Sequence, residues 1–223
     1  PYFVMEYVAG VPITRYCDTH RLALRERLEL LITVCHAIQH AHQKGVIHRD
    51  IKPSNILVAA GPDGRPTAKV IDFGVARAME SAGAGTLATR FGSVVGTLAY
   101  MSPEQATLDS ARVDTRSDIY SLGVLAYELL VGETPLQGDT ETASLPLLIE
   151  RVRTVEPEPP SVRARNRGRS AAGLDGEADW IVMKALEKEP ARRYQTADAL
   201  ALDIRAFLDG DAVEAGPPSR SYK

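Results

Sequence analysis

The chain of 223 residues is short of the groups that staple or anchor small proteins. It has two cysteines, Cys17 and Cys35, too few and too far apart for a disulfide framework or a Cys-x-x-Cys zinc clamp, so a reducing compartment is expected. Neither sign of charge dominates. The 26 Lys and Arg face 29 Asp and Glu, a formal net charge of −3, which gives no electrostatic argument for nucleic acid. No apolar run approaches the ~20 residues of a membrane helix; the longest, Leu122 to Val131, is short and contains Glu128. No secretory signal pattern is visible. What remains, 44% hydrophobic and 25% charged residues, is the balance of a globular chain long enough to build one substantial core.

Periodicity gives a coarse map. Residues 2–8 are apolar and aromatic, a strand pattern ending near Gly10. A short helix is expected over 13–20. A longer amphipathic one is expected over 25–44, where Leu28, Leu31, Ile32, Cys35 and Ile38 share a face and Gly45 stands at the C-terminal cap position. Short runs at 46–47, 56–58 and 69–71 read as strands, the last two joined by Pro62-Asp63-Gly64. Residues 79–97 lack any period and form a long loop of the kind that is usually functional. Residues 115–131 are apolar on most sides, a buried helix ending at Gly132. Helices are also expected over 146–153, 178–188 and 196–208, with a Pro-, Arg- and Gly-rich irregular excursion over 155–176.

The chemistry concentrates in His48-Arg49-Asp50-Ile51-Lys52-Pro53-Ser54-Asn55, followed by Asp72-Phe73-Gly74 and later by Ser102-Pro103-Glu104. Each motif alone is weak. Together, in this order and at these separations, they resemble the protein kinase superfamily. Phosphoryl transfer from ATP needs charge neutralised and two oxygens held in line. Asp50 suits the role of orienting the attacking hydroxyl and taking its proton late. Lys52, two residues on, suits stabilisation of the moving phosphoryl group. Asn55 and Asp72 supply the hard oxygens that Mg2+, or Mn2+, takes.

Further assignments follow from the resemblance. Lys52, and Thr97 in Gly96-Thr97, are similar to the serine/threonine class, with Thr97 contacting the catalytic Asp and Lys. Asp118 resembles the buried aspartate that binds the backbone of the His48-Arg49 turn, and Arg193 the arginine that pairs with Glu104. Met5 resembles the gatekeeper. Glu6 and Val8 would meet the adenine edge by their backbone, with Leu57 beneath the ring and Ile71 beside it. Arg49 resembles a receptor for a phosphate on the 79–97 loop, whose acceptors are Thr86, Thr89 (ranked first) and Ser93. The segments 34–45 and 179–186 look like those of bacterial serine/threonine kinases.

The implied fold is α+β and protein-kinase-like: a mainly helical C-terminal lobe with short β-hairpins, the N-terminal lobe largely absent. Residues 1–43 hold no lysine and only Gly10 as glycine, whereas an N-terminal lobe brings a Gly-rich loop and a strand lysine. The expected division is the last N-lobe strand and hinge over 1–10, the C-terminal lobe over 11–209 with an activation segment over 72–104, and a linker over 210–223. Both ends look cut from a longer chain. The implied partners are ATP and proteins with Ser or Thr hydroxyls, in the cytoplasm. Nucleic acid is not expected, and any membrane attachment would lie outside these residues. The fragment alone is expected to be inactive. The alternative from another class is a kinase-like scaffold that no longer catalyses.

Weaker patterns have plainer readings. His36 and His40 share a helix face, but without a His-Glu-x-x-His pattern they read as surface and core histidines rather than zinc ligands. Gly83-Ala84-Gly85 lacks the strand–helix context of a dinucleotide loop. Arg163, Arg165, Arg167 and Arg169 alternate without interleaved aromatics, so a solvated excursion is the better reading than a nucleic-acid tether.

Overall fold

The computed structural model describes residues 6–61, 64–73, 98–107, 113–136, 144–171, 173–174 and 176–216. The expectations for Met5, Thr86, Thr89, Ser93 and Thr97 lie outside these residues. Along the described chain come β1 (Val11–Pro12), α1 (Ile13–Thr19), α2 (Leu24–Gln43), β2 (Ile56–Ala60), β3 (Pro66–Val70), α3 (Pro103–Ala106), α4 (Thr115–Val131), α5 (Leu145–Thr154), α6 (Pro160–Asn166), α7 (Glu177–Ala185) and α8 (Ala197–Asp209). Turns of 3₁₀ helix at Pro53–Asn55 and Pro190–Arg192 precede β2 and α8.

Helix α4 is the axis of the molecule. Ile119, Leu122, Leu125 and Tyr127 are fully buried, because helices α1, α2, α6 and α7 pack around it. Gly123 marks the closest approach: a Cβ there would lie 2.8 Å from that of Ala185 on α7. Gly132 ends α4 at φ 81, the left-handed cap expected of it. Helix α2 buries Leu28, Leu31, Ile32, Cys35 and Ile38 as its period requires, and adds Leu30 and Val34.

The small sheet has the order β1-β2-β3, all antiparallel, with Pro12 opposite Leu57 and Ile56 opposite Val70. Three expectations fail locally. Among residues 6–10, part of the run expected as a strand, no strand forms; pairing with β2 begins only at Val11. Residues 46–47 are no strand either, since the Val46 N–H is spent on Ala41 O, closing α2 after Gly45 at φ 73. The expected excursion over 155–176 contains helix α6, whose start is fixed from a distance. The buried Asp179 carboxylate accepts the Ser161 N–H at 2.9 Å and its hydroxyl at 2.5 Å.

Part of the expected C-terminal linker is bound to the lobe. After Gly210 the chain turns back along α8. Asp203, 4% exposed, accepts the N–H groups of Glu214 (2.5 Å) and Ala215 (2.9 Å) and the Tyr194 hydroxyl (2.6 Å).

Candidate active site

The site is built around a turn that the chain would not adopt unaided. Arg49 has φ 68, left-handed for a non-glycine residue, a conformation that costs about 1–2 kcal/mol. Fully buried Asp118, in the first turn of α4, holds this turn open. Its Oδ1 accepts the Arg49 N–H at 2.8 Å and its Oδ2 the His48 N–H at 2.8 Å. His42, near the end of α2, adds a third contact, Nε2 to Oδ2 at 2.7 Å. Hydrogen bonds to an ionised acceptor are the strong ones, and three of them offset the burial of the Asp118 charge.

His48 joins this turn to the end of β3. Its Nδ1 accepts the Asp50 N–H at 3.3 Å, which leaves the proton on Nε2, and Nε2 donates to Ile71 O at 3.0 Å. Its ring also packs on Phe73, 4.7 Å between centroids. His48 is therefore a buried structural hinge pin, with both ring nitrogens engaged.

Asp50, Lys52 and Asn55 meet directly. Asn55 Nδ2 donates to Asp50 Oδ2 at 2.9 Å and to Asp50 O at 2.8 Å, and Lys52 Nζ lies 2.8 Å from the same Oδ2. With its NH2 committed to Asp50, the Asn55 amide has its Oδ1 left for ligation; the Ser54 hydroxyl touches it at 3.4 Å. Asp72 follows the residue that closes this loop onto β3, since Ile71 N–H donates to Asn55 O at 2.9 Å. Asp72 is exposed, at φ 61, so the chain turns sharply where its carboxylate begins. Asp50, Lys52 and Asn55 are thus in contact, and Asp72 sits one residue from a backbone tie to Asn55.

Of the described residues expected around an adenine ring, Leu57 lies on the sheet, and Glu6, Val8 and Ile71 lie outside its strands. Leu57 on β2 and Ile71 after β3 are half-buried, as is Val8. Gly10 crosses β2 so closely that a Cβ would lie 2.9 Å from that of Leu57. Glu6 is exposed, and its side chain pairs with Lys69 Nζ at 2.5 Å.

On the other side of Asp50, residues 98–107 are fastened to α4. Ser121 Oγ donates to Tyr100 O at 2.8 Å, and the Tyr100 hydroxyl donates to Glu128. Burial lifts the Glu128 carboxyl above its usual range, against the hydrogen bond from Tyr100. Ser102 caps α3 together with Gln105, and Gln105 Nε2 donates to Arg49 O at 2.8 Å.

Glu104 and Arg193 form a two-pronged pair, 2.7 and 2.8 Å, with Ser117 Oγ donating to Glu104 at 2.6 Å. The other Arg193 donors reach the carbonyls of Arg116, Glu187 and Lys188, so all five are used. Burial works to raise the Glu104 carboxyl, but the Arg193 hydrogen bonds and charge outweigh it and hold the group below its ordinary 4.5. Sequence reading did not find His42, Gln105 or Tyr100–Glu128. His42 alone left a trace, standing six residues before His48 in a cluster of histidines.

The arrangement is a strained loop of Asp, Lys and Asn hung from a buried helix aspartate. The sequence profile described as "Protein kinase domain" matches residues 1–203, and the chain belongs to that family. Among curated relatives, it is 41% identical over 216 residues to the serine/threonine-protein kinase PknB of Mycobacterium tuberculosis, covering 96% of this chain and 32% of that protein. It is 36% identical over 213 residues to PrkC of Bacillus subtilis, covering 95% of this chain and 30% of that one. The chain thus spans about a third of the length of the curated relatives it matches. The crystal structure of a double mutant of the Mycobacterium tuberculosis PknI kinase domain superposes with a TM-score of 0.62 at 22% identity, covering 92% of this chain and 65% of that one, which bears on the fold alone.

Proposed function

We propose that this chain carries the catalytic loop of an ATP-dependent serine/threonine protein kinase, transferring the γ-phosphoryl group of ATP to Ser or Thr hydroxyls of proteins. The observation that carries the reading is the contact of Lys52 and Asn55 with one oxygen of Asp50, at 2.8 and 2.9 Å. Asp50 orients the attacking hydroxyl and takes its proton as the bond to phosphorus forms and the bond to the ADP oxygen breaks. Lys52, now on Asp50, is placed to turn to the transferring phosphoryl group and balance its charge. Thr97 is assigned to the same Asp–Lys pair.

A divalent ion, Mg2+ or Mn2+, would be held by Asn55 Oδ1 and the Asp72 carboxylate. The donor chemistry fits: both are hard oxygens, and Mg2+ is ordinarily bound by one or two protein groups with nucleotide oxygens and water completing the shell. When bound, the ion neutralises phosphate charge. The adenine edge is assigned to the backbone of Glu6 and Val8, beside Met5, with Leu57 and Ile71 as the apolar surface under the ring.

We assign residues 1–10 to the hinge and last N-lobe strand, 11–209 to the C-terminal lobe and 72–104 to the activation segment. On this assignment the strand lysine and Gly-rich loop are not supplied by residues 1–43, and the chain alone is inactive. No helix of the described residues is long and apolar enough to cross a membrane; the proposed setting of the catalytic lobe is the cytoplasm. The scaffold reading is disfavoured because Asp50, Lys52, Asn55 and Asp72 all keep residue types that the chemistry needs. The test is Asp50→Asn in the protein encoded by the complete reading frame. Autophosphorylation from labelled ATP should be lost with the circular dichroism unchanged; full activity in that variant would refute the role.

A further inference from the structure

The peptide unit between Arg49 and Asp50 is the last backbone link before the carboxylate that does the proposed chemistry, and it leaves a strained residue, Arg49 at φ 68. Both polar ends of this unit are held by side chains. Its N–H, from Asp50, donates to His48 Nδ1 at 3.3 Å. Its carbonyl, from Arg49, accepts Gln105 Nε2 at 2.8 Å, a contact across 56 residues. The Gln105 amide has one workable orientation. Its Oε1 accepts both the Ser102 N–H and the Ser102 hydroxyl at 3.0 Å, so turning the amide over would set donor against donor and oxygen against oxygen.

A capping role explains only half of this. Ser102 and Gln105 form a capping box at the start of α3, and that box accepts Glu as readily as Gln at the same position. It needs no donor aimed at Arg49. We propose that Gln105 is a positioning residue for phosphoryl transfer: it clamps the Arg49–Asp50 peptide plane and so links the placement of segment 100–106 to the aim of the Asp50 carboxylate. This rests on the kinase reading of Asp50. It also gives the left-handed Arg49 a restraint at each end, Asp118 on its N–H and Gln105 on its carbonyl.

Glutamate at 105 separates the two roles, since it keeps the acceptor for Ser102 and loses the donor to Arg49. The experiment compares Gln105→Glu and Gln105→Met with the parent, each encoded by the complete reading frame. It reads kcat and KM for ATP, and amide hydrogen exchange at Asp50 and along α4. Both variants should lower kcat about tenfold, the scale of one lost hydrogen bond and a slightly misaimed group, with KM for ATP within about twofold. In both, Asp50 exchange should quicken while the α4 amides stay as in the parent. If Gln105→Glu kept parental kcat and Asp50 protection while Gln105→Met lost them, Gln105 would be a helix cap only and the proposal would be overturned. A parent without phosphoryl transfer would count against the kinase reading alone, because Asp50 exchange in the variants still decides the positioning claim.

Discussion

At the scale of single residues, the molecule spends buried charge on fixing its loops. Asp118, Glu104 and Arg193 are all nearly inaccessible, and each is fully engaged. Breaking such a pair strands the partner. Arg193→Ala should therefore cost about 3–5 kcal/mol in urea unfolding, because Glu104 would remain buried without its cation. Lysine should not restore it, since one ammonium cannot replace five planar donors. The acid limb should change too. Glu104 titrates below 4.5 in the folded protein, so the unfolded chain takes up that proton first. Its contribution is complete above the unfolded value and declines as pH falls toward the folded one. Arg193→Ala should flatten that decline; an unchanged pH–stability curve would contradict the assignment. The resemblance foretold the roles of Asp118 and Arg193 because each sits in a recognisable motif. His42 and Gln105 sit in no such motif, and their partners are remote: Asp118 and Arg49 respectively.

At the scale of elements, helices with a clear period were legible and those fixed by distant groups were not. Helix α4 was expected over 115–131 and runs Thr115–Val131, since apolar residues on most sides, an Asp cap and a closing Gly are all local signals. Helix α6 was expected as irregular chain. It is seven residues long, begins at Pro160 and donates its N-terminal hydrogen bonds, from Ser161, to Asp179 in a later helix. The run over residues 2–8 has strand composition, but composition does not supply a partner, and the described residues before Val11 make no ladder. The return of residues 211–216 was equally hidden, because its anchor is a carboxylate on α8. The kinase-domain profile ends at 203, yet Ala215 is 3% exposed. Asp203→Ala should lower stability by about 1–3 kcal/mol by leaving buried donors unpaired, and should unprotect the Glu214 and Ala215 amides in hydrogen exchange. Retained protection there would show that the segment is held by packing alone.

At the scale of the whole molecule, two segments that flank Asp50 are hung from one helix. The loop 48–55 and the segment 98–107 are both fastened to α4, the first through Asp118 and the second through Ser121, Glu128 and Ser117. This common anchorage brings segments far apart in sequence onto one helix; of its side chains Asp118 could be picked out in sequence, whereas Ser117, Ser121 and Glu128 could not. The central claim is that Asn55 and Asp72 hold the same ion beside Asp50. The most direct test is the free Mg2+ dependence of phosphoryl transfer in the protein of the complete reading frame, for the parent, Asn55→Ala, Asp72→Asn and the double variant. The account predicts that each single change raises the Mg2+ midpoint at least about tenfold and that the double change falls well short of the product, as for residues sharing one partner. A parental midpoint in either single variant, or strictly multiplicative effects in the double, would contradict it.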